Sequence, residues 1–188
     1  MNTTPKRRNA EQTKARILLA AQKAFAEVGY ARAGIRDIAE AADISSPMLL
    51  RYFGSKAGLF EAALTDAVSL AGVMEGDRKE IGKRLVALFN DPQQEITPPA
   101  IIALSAGDPD ARGITARVTE EHVIGPFARW LGGPGAEARA TEIFMLATSF
   151  VIYSRQLPII TNNPAREMEI SAWLAQSIQA IVDESGSA

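Results

Sequence analysis

Residues 34–56 read GIRDIAEAADISSPMLLRYFGSK, the pattern of two short helices joined by a tight turn. Apolar residues at positions 35, 38, 39 and 42 follow the spacing of one buried helical stripe. Asp43 and Ile44 then interrupt the stripe with a turn residue and an apolar residue. Ser45 can cap a second helix, in which Pro47 is tolerated because the N–H it lacks would be unpaired in a first turn. The stretch therefore predicts a helix-turn-helix unit.

The second helix of this unit has one apolar side and one exposed side. Leu49 and Phe53 are spaced to pack it against the first helix. The outward positions are then Ser46, Met48, Leu50 and Arg51. A short helix with small and polar residues at its N-terminal end fits the major groove of DNA, so the pattern predicts DNA binding through this helix.

Four patterns follow one another between about residues 10 and 60, and together they resemble the TetR family of one-component transcriptional repressors. They are an amphipathic first helix (RILLAAQKAFAEVGY), the RDIAEAA helix, a short helix ending in RYF, and Ser-Lys at the start of a fourth helix. Each pattern alone is weak, whereas all four at this spacing are specific. The resemblance implies an all-α protein that binds DNA as a homodimer and responds to a small molecule.

The resemblance also implies DNA contacts at particular positions. Tyr52 stands where the family has an aromatic residue or histidine that hydrogen-bonds a phosphate. Lys56 stands where the family has a phosphate-binding lysine, at a helix N-terminus that itself favours an anion. Arg36, in the first turn of its helix, can reach a phosphate or a guanine edge. The alternatives are that Tyr52 is a packing residue and that Arg36 is a solvated surface residue.

The tip of the second helix is predicted to enter the groove. It consists of Ser46, Pro47 and Met48, of which Met48 suits an apolar contact such as a thymine methyl group. Arg51 is a candidate for a phosphate contact. The alternatives are that the three tip residues only start the helix and that Arg51 is solvated.

Three positions differ from the usual family pattern. Asp43 replaces the small turn residue, but Asp tolerates left-handed backbone. Leu50 stands on the DNA-facing surface where the family often has a tyrosine that contacts phosphate, and a leucine side chain cannot make that hydrogen bond. Gly34 replaces the usual Ser or Thr cap of the second helix of the domain and makes no side-chain bond. These differences bear on the operator sequence and the affinity.

The charge is divided unevenly along the chain. Residues 1–56 carry ten Lys and Arg against five Asp and Glu, whereas residues 57–188 carry ten against seventeen. A basic N-terminal part joined to an acidic remainder is expected when one end of a protein meets phosphate. Chance segregation of surface charge is the alternative, and the helix-turn-helix pattern favours the electrostatic interpretation.

The composition fits a reducing cytosol without strongly favouring a compartment. The chain has 188 residues and no cysteine, which excludes disulfides and thiolate metal sites. The N-terminus is polar and basic, so we expect no signal peptide. The longest apolar run, at 143–153, is about half the roughly 20 residues of a membrane-spanning helix. We expect a cytoplasmic protein without a membrane partner.

The pattern of apolar stripes and breaks divides the chain into four parts. We predict a disordered basic arm at 1–10, a helix-turn-helix DNA-binding domain at 11–56 and a connecting helix at 57–75. A C-terminal domain for ligand binding and dimerisation follows at 76–188. About nine helices and no strand are predicted in total, so the fold class is all-α.

Two C-terminal helices are predicted to form a dimer interface. The sequence IFMLATSFVIY at 143–153 carries no charge, so its helix is apolar all round and must be covered on all sides. The last helix is apolar on two sides. We predict a four-helix interface with a second copy, as the family resemblance also implies. Its residues are Phe150, Val151, Trp173, Leu174 and Ile178. The alternative is that the helix at 143–153 is buried entirely within one subunit.

The resemblance implies a small-molecule pocket in the C-terminal domain. The candidate lining is largely apolar and predicts an apolar effector. Its residues are Phe89, His122, Phe127, Trp130, Phe144, Met145 and Thr148. The same residues at helical spacing are also compatible with an ordinary core. His122 has Glu120 and Glu121 beside it, but adjacent helical positions point in different directions, so no metal site is predicted.

The predicted function is that of a transcriptional repressor released from a pseudo-palindromic operator by a small-molecule ligand. An enzyme would need a nucleophile with a base, a carboxylate pair or a metal cluster. With no cysteine and one histidine, we predict no catalytic residue, no metal and no cofactor. A scaffold protein that does not bind DNA is favoured by the three differences above and opposed by Arg36, Tyr52 and Lys56.

Overall fold

The computed structural model describes residues 5–68, 71–91 and 98–184, and within those ranges all regular secondary structure is helical. The α-helices are α1 (Pro5–Arg32), α2 (Ile35–Ala41), α3 (Ser46–Phe53), α4 (Lys56–Ala67), α5 (Ala71–Met74), α6 (Ile81–Asn90), α7 (Pro98–Ser105), α8 (Arg112–Thr119), α9 (Gly125–Leu131), α10 (Ala136–Val151) and α11 (Pro164–Asp183). A 3₁₀ turn at Arg78–Glu80 precedes α6, and π-helical turns at Glu120–Ile124 and Ile152–Gln156 follow α8 and α10. The prediction of an all-α fold is confirmed.

The predicted connecting helix corresponds to two of these elements. It was predicted at 57–75 and contains most of α4 and all of α5, and residues 69–70 between them lie outside the described ranges. The helical geometry also changes between α8 and α9, at the first π-helical turn. Pro126 explains the position of this change, because it lacks the N–H that a regular helical ladder needs.

The first helix begins earlier than predicted. α1 starts at Pro5, so residues 5–10 are helical and do not form the disordered arm predicted for 1–10, of which residues 1–4 lie outside the described ranges. Proline is favoured in the first turn of a helix, and the Lys, Arg, Ala, Glu and Gln residues that follow are good helix formers. The basic residues at positions 6–8 therefore extend the first helix.

Gly29 interrupts the regular geometry of α1 near its C-terminal end. Its φ of 73° and ψ of 172° lie in a region that is essentially restricted to glycine. A Cβ atom at this position would lie 3.1 Å from the backbone oxygen of Leu104 in α7. The absence of a side chain thus allows both the kink and the close approach of α7 to α1.

The N-terminal helices share one hydrophobic core with α7 and α8. Phe25 of α1 meets Phe60 of α4 edge to face, with ring centres 5.0 Å apart, and both side chains are fully buried. Ile101 from α7 and Val118 from α8 belong to the same buried cluster. The DNA-reading helices and part of the C-terminal half are therefore held together by one core.

A second core lies among α6, α9, α10 and α11. It includes Ile81, Phe127, Phe150 and Ile178, all buried, and Val73 and Met74 pack against its edge. Phe144 of α10 is half-buried and packs against both cores. The C-terminal domain thus forms a helical bundle that is continuous with the first core.

Residues 56–74 have the length and apolar composition of a membrane-spanning segment. The structure gives a different reason for that composition. Leu59, Phe60 and Leu64 in this segment are fully buried in the first core, where α4 packs against α1. The apolar residues of α4 are accounted for by packing within the protein.

Candidate DNA-binding surface

The turn between α2 and α3 has the sharp geometry that a helix-turn-helix needs. Asp43 adopts a φ of 52°, the left-handed conformation that Asp tolerates, as predicted. The Ile44 N–H then donates to the Ala39 oxygen at 3.0 Å. Gly34 occupies the cap position of α2 with extended backbone and no side-chain hydrogen bond, also as predicted. Asp43 and Ile44 thus form the turn between α2 and α3, and Gly34 precedes α2.

α3 is anchored on one side and open on the other. Leu49 is fully buried and Phe53 is half-buried, so these residues hold the helix against the core. The outward residues are Pro47, Met48, Leu50, Arg51 and Tyr52, all exposed, with Ser46 half-buried. Ser45 lies at the cap position, but its side chain makes no cap hydrogen bond. The tip predicted to enter the groove is therefore accessible, although the predicted serine cap is not formed.

The end of α3 and the start of α4 are sharply defined. Gly54 ends α3 with a φ of 76°, which favours glycine. Ser55 caps α4, and its hydroxyl oxygen accepts the Gly58 N–H at 3.0 Å. These two residues bring Lys56 into the first turn of α4, close to the end of α3.

Lys56 is held against the C-terminal end of α1. Its ammonium donates to the Ala31 oxygen at 3.2 Å and lies 4.7 Å from the centre of the Tyr30 ring. Tyr30 is buried, and this burial, with the charges of Asp110 and Asp108, raises the pKa of its phenol. Sequence analysis did not identify Tyr30 and Ala31 as contacts of Lys56. A signal that the sequence does contain is the aromatic residue directly after Gly29.

Arg36 and the start of α3 lie around one depression. This depression has a volume of about 410 Å³ and is lined by Arg36, Glu40, Asp43, Ser45 and Ser46, among others. Arg36 itself is exposed in the first turn of α2. The structure thus brings Arg36 and Ser46, two of the predicted DNA-binding residues, to the same surface.

The seven predicted ligand residues differ in how deeply they are buried. Phe89 and Phe127 are buried in the second core, and Trp130 lies over Arg78 beside Phe127, with 5.2 Å between the two ring centres. Phe144 packs between the two cores, and the buried hydroxyl of Thr148 has no hydrogen-bond partner among the described residues.

His122 and Met145 lie at the surface, and 62% of Met145 is exposed. They differ from the other five predicted lining residues because they fall on solvent-facing positions of their helical turns. The ligand pocket stays a prediction.

Four of the five predicted interface residues are buried within their own chain. Phe150, Val151, Leu174 and Ile178 are at most 4% exposed, whereas Trp173 is 52% exposed. The physical reason is that α6 and α9 cover the inner faces of α10 and α11. An all-round apolar helix needs cover on all sides, but its sequence does not specify which chain provides it.

Large apolar side chains are nevertheless exposed on the C-terminal half. Each is between 47% and 70% exposed, and they are Met145, Tyr153, Leu157, Ile159, Met168 and Trp173. An extensive exposed apolar surface is characteristic of a protein–protein interface. These are the side chains that α10, α11 and their connection present to solvent.

The fold and this surface define a helix-turn-helix DNA-binding protein with a helical C-terminal domain. The chain belongs to the TetR family. Residues 17–63 match the model described as bacterial regulatory proteins of the tetR family, and residues 79–182 match the tetracyclin repressor-like C-terminal domain. The family comprises regulators rather than enzymes.

Curated relatives match the N-terminal part of the family pattern. The chain is 33% identical over 91 residues to the transcriptional regulators ArpR and TtgR of Pseudomonas putida, which is 44% of this chain and 43% of each relative. It is 33% identical over 76 residues to the transcriptional activator FasR of Mycolicibacterium smegmatis, 39% of this chain and 35% of that protein. The chain thus spans less than half the length of these relatives.

Solved structures share the fold over nearly the whole chain. A TetR-family regulator from a Rhodococcus species superposes with a TM-score of 0.72 at 19% identity, covering 92% of this chain and 99% of the other. RolR in complex with resorcinol superposes with a TM-score of 0.53 at 16% identity, covering 96% of both chains. At these identities the similarity establishes the fold.

Proposed function

We propose that this protein is a cytoplasmic transcriptional repressor that binds a pseudo-palindromic operator as a homodimer. The observation that carries the proposal is the exposed start of α3. Pro47 and Met48 are exposed to solvent, whereas Leu49 beside them is fully buried. A short helix presented this way fits the major groove, where Met48 can contact a thymine methyl group and Arg36 a guanine edge.

Contacts to the DNA backbone are proposed on both sides of this tip. Tyr52 and Arg51 are exposed at the end of α3, and Lys56 follows in the first turn of α4. The ammonium of Lys56 has three donors, so its bond to the Ala31 oxygen leaves donors for a phosphate. These contacts would fix the position of α3 on the duplex without reading its sequence.

A second copy of the chain is proposed to cover the exposed apolar residues of α10 and α11. Trp173 and Met145 are large exposed side chains of these two helices, and aromatic and methionine side chains are enriched in interfaces. A dimer would also supply the second recognition helix that a pseudo-palindrome requires.

The effector is proposed to release the protein from DNA through contacts between the two halves of the chain. Arg117 of α8 lies 2.9 Å from Glu61 of α4, and Ile101 of α7 belongs to the first core. A displacement of α7 or α8 would therefore be transmitted to α1 and α4. RolR, which shares this fold, was solved in complex with the ligand resorcinol. We infer that an apolar small molecule acts on the C-terminal domain of this protein.

The test is a selection of genomic fragments by the purified, full-length protein at moderate salt. We expect enrichment of a pseudo-palindrome with two half-sites about one helical turn apart. The chain's mass in solution, measured in parallel, should correspond to a dimer. Folded, dimeric protein that enriches no sequence would contradict the proposal and favour a scaffold function.

A further inference from the structure

The first turns of α1 extend beyond the hydrophobic core. α1 begins at Pro5, but Ile17 and Leu18 are the residues at which it enters the first core. Residues 9–16, which lie between these points, are exposed or half-buried. A helix rises about 1.5 Å per residue, so the part of α1 from residue 5 to residue 16 is about 18 Å long. We call this part of α1 the helical arm.

The helical arm has no apolar face. Residues 5–16 read PKRRNAEQTKAR, in which a proline and two alanines are the least polar residues. A helix needs an apolar stripe to pack against another protein surface or to lie in a membrane interface. The arm is therefore suited to a partner that is bound through charge and hydrogen bonds.

The helical arm carries most of the net positive charge of the N-terminal part of the chain. It has five Lys and Arg residues and one carboxylate, Glu11. Residues 17–56, which contain the helix-turn-helix, have five Lys and Arg residues against four Asp and Glu residues. Attraction to a polyanion grows with the number of cations that neutralise its phosphates. The arm is thus the main source of such attraction in this part of the chain.

The position of these charges does not stabilise the helix itself. Lys6, Arg7 and Arg8 belong to the first turn of α1, and that turn contains no acidic residue. The N-terminal end of a helix carries a partial positive charge, so further cations are unfavourable there and an anion is favourable. An anionic partner would therefore offset a repulsion that the arm has on its own.

The arm joins the rest of the domain beside the turn of the helix-turn-helix. At the end of the arm, Nη1 of Arg16 lies 3.7 Å from Oδ2 of Asp43. Asp43 belongs to the turn before α3 and lines the depression that also contains Arg36 and Ser46. The arm is therefore continuous with the proposed DNA-binding surface.

We propose that the helical arm binds DNA phosphates next to the half-site that α3 reads. This inference rests on the proposed function and assigns the sequence-independent part of the affinity mainly to the arm. Glu40 and Asp43 are exposed near α3 and repel phosphate, so the nearly neutral helix-turn-helix needs cations from elsewhere. DNA rises about 3.4 Å per base pair, so the arm can follow about five base pairs.

The first test is the salt dependence of operator binding by the full-length protein. The variant Lys6→Gln/Arg7→Gln/Arg8→Gln should bind the operator at least about tenfold more weakly at moderate salt. Its salt slope should fall by about two to three phosphates per subunit. Base preference in the fragment selection should not change, because phosphate contacts carry no sequence information. Glutamine, lysine and arginine have similar helix propensities, so the melting temperature should also stay the same.

A matched control removes the same charge from the C-terminal half. Lys79→Gln/Lys83→Gln/Arg112→Gln changes three exposed cations that lie outside the proposed DNA-binding surface. We expect its salt slope to equal that of the natural protein. An equal fall in slope in both triple variants would show that only net charge matters, and it would overturn the proposal. An unchanged slope in the arm variant would overturn it too.

The second test locates the arm on the operator. The chain has no cysteine, so Asn9→Cys provides a single attachment point for an iron–EDTA reagent that cleaves nearby DNA. Asn9 is exposed within the arm. We expect cleavage within about five base pairs of each half-site, at the reach of an arm of about 18 Å. Lys79→Cys with the same reagent should give no cleavage. An operator complex of labelled Asn9→Cys without cleavage above this control would contradict the placement.

A lipid surface is the other polyanion to be tested. Phosphatidylglycerol vesicles that bind the natural protein but not the arm variant, with equal DNA salt slopes for the two proteins, would assign the arm to lipid and overturn the proposal. Failure of the proposed function gives a different result, since the natural protein would then enrich no operator at all. Operator binding with an unchanged salt slope in the arm variant contradicts the inference about the arm alone.

Discussion

The ammonium of Lys56 lies 4.7 Å from the centre of the Tyr30 ring and donates a hydrogen bond to the Ala31 oxygen. The residue proposed to bind a DNA phosphate therefore also joins the start of α4 to the end of α1. A cation over an aromatic ring contributes about 0.5–1 kcal/mol at exposed sites. Lys56 thus has a measurable effect on the fold as well as on DNA binding.

Lys56→Ala is expected to weaken binding to all duplexes alike and to reduce the salt dependence of binding by about one phosphate. It should also lower the free energy of unfolding by about 1 kcal/mol, because the cation over the Tyr30 ring is removed. Fluorescence anisotropy over a salt series and urea unfolding measure the two effects. Lys83→Ala, in an exposed pair with Glu80, serves as the control. An unchanged salt slope would contradict the phosphate contact.

Arg36→Ala is expected to relax base preference at one position in each half-site, at a cost of about 1–3 kcal/mol for the preferred base. The reason is that Arg36 is exposed at the same depression as Ser46, so it can reach a base edge. Arg51→Ala is the comparison variant, and we expect it to weaken binding to all sequences equally. Repeating the fragment selection with both variants measures the difference. If Arg36→Ala weakens all sequences equally, Arg36 contacts phosphate.

Trp173→Asp is expected to convert the dimer into folded monomers and to abolish operator binding at nanomolar protein. Trp173 is 52% exposed on α11, so a charge there remains hydrated in a monomer but opposes a partner. Phe150→Ala should instead destabilise the fold by about 3–5 kcal/mol, because Phe150 is buried in the second core. Analytical ultracentrifugation and thermal unfolding distinguish the two results. A dimeric Trp173→Asp would place the interface elsewhere.

The pair between Glu61 and Arg117 is expected to make stability depend on pH. The hydrogen bond from Arg117 lowers the pKa of Glu61 below its ordinary value. The contribution of this pair to the free energy of unfolding is therefore present at neutral pH, and it disappears as the pH falls through the lowered pKa of Glu61. The effect is small because the two side chains are 42% and 46% exposed. Melting temperatures of the natural protein and Glu61→Gln should differ at pH 7 and converge in acid.

Gly29→Ala is expected to destabilise the protein by about 1–3 kcal/mol, because the backbone conformation of Gly29 is essentially restricted to glycine. Gly113→Ala is the matched control. Position 113 lies within α8 with open space around it, so alanine there should stabilise by up to about 1 kcal/mol. Urea unfolding measures both values. Equal effects of the two substitutions would mean that α1 is not kinked at Gly29.

The helix-turn-helix was predictable from the sequence because its determinants are local. Asp43 permits the turn, Leu49 has the spacing of a buried residue, and Ser55 caps the next helix through a contact three residues away. Such features depend on neighbours within one turn of the chain. The contacts of Lys56 with Tyr30 and Ala31 were not predictable, because Lys56 and Ala31 are 25 residues apart in the chain.

The burial of residues in the C-terminal domain is harder to predict from the sequence, because it depends on packing between distant helices. Phe150 and Trp173 have similar apolar neighbours in the sequence, yet one is buried and the other exposed.

The core shared by α1, α4, α7 and α8 has a consequence for shortened forms of the protein. Ile101 and Val118, which help to fill it, come from the C-terminal half of the chain. A fragment ending after α4 would expose the surfaces of Phe25 and Phe60 that these residues help to enclose. Proteolysis or a premature stop codon beyond α4 would therefore yield an unstable fragment that is degraded, rather than a permanently active repressor that no effector can release.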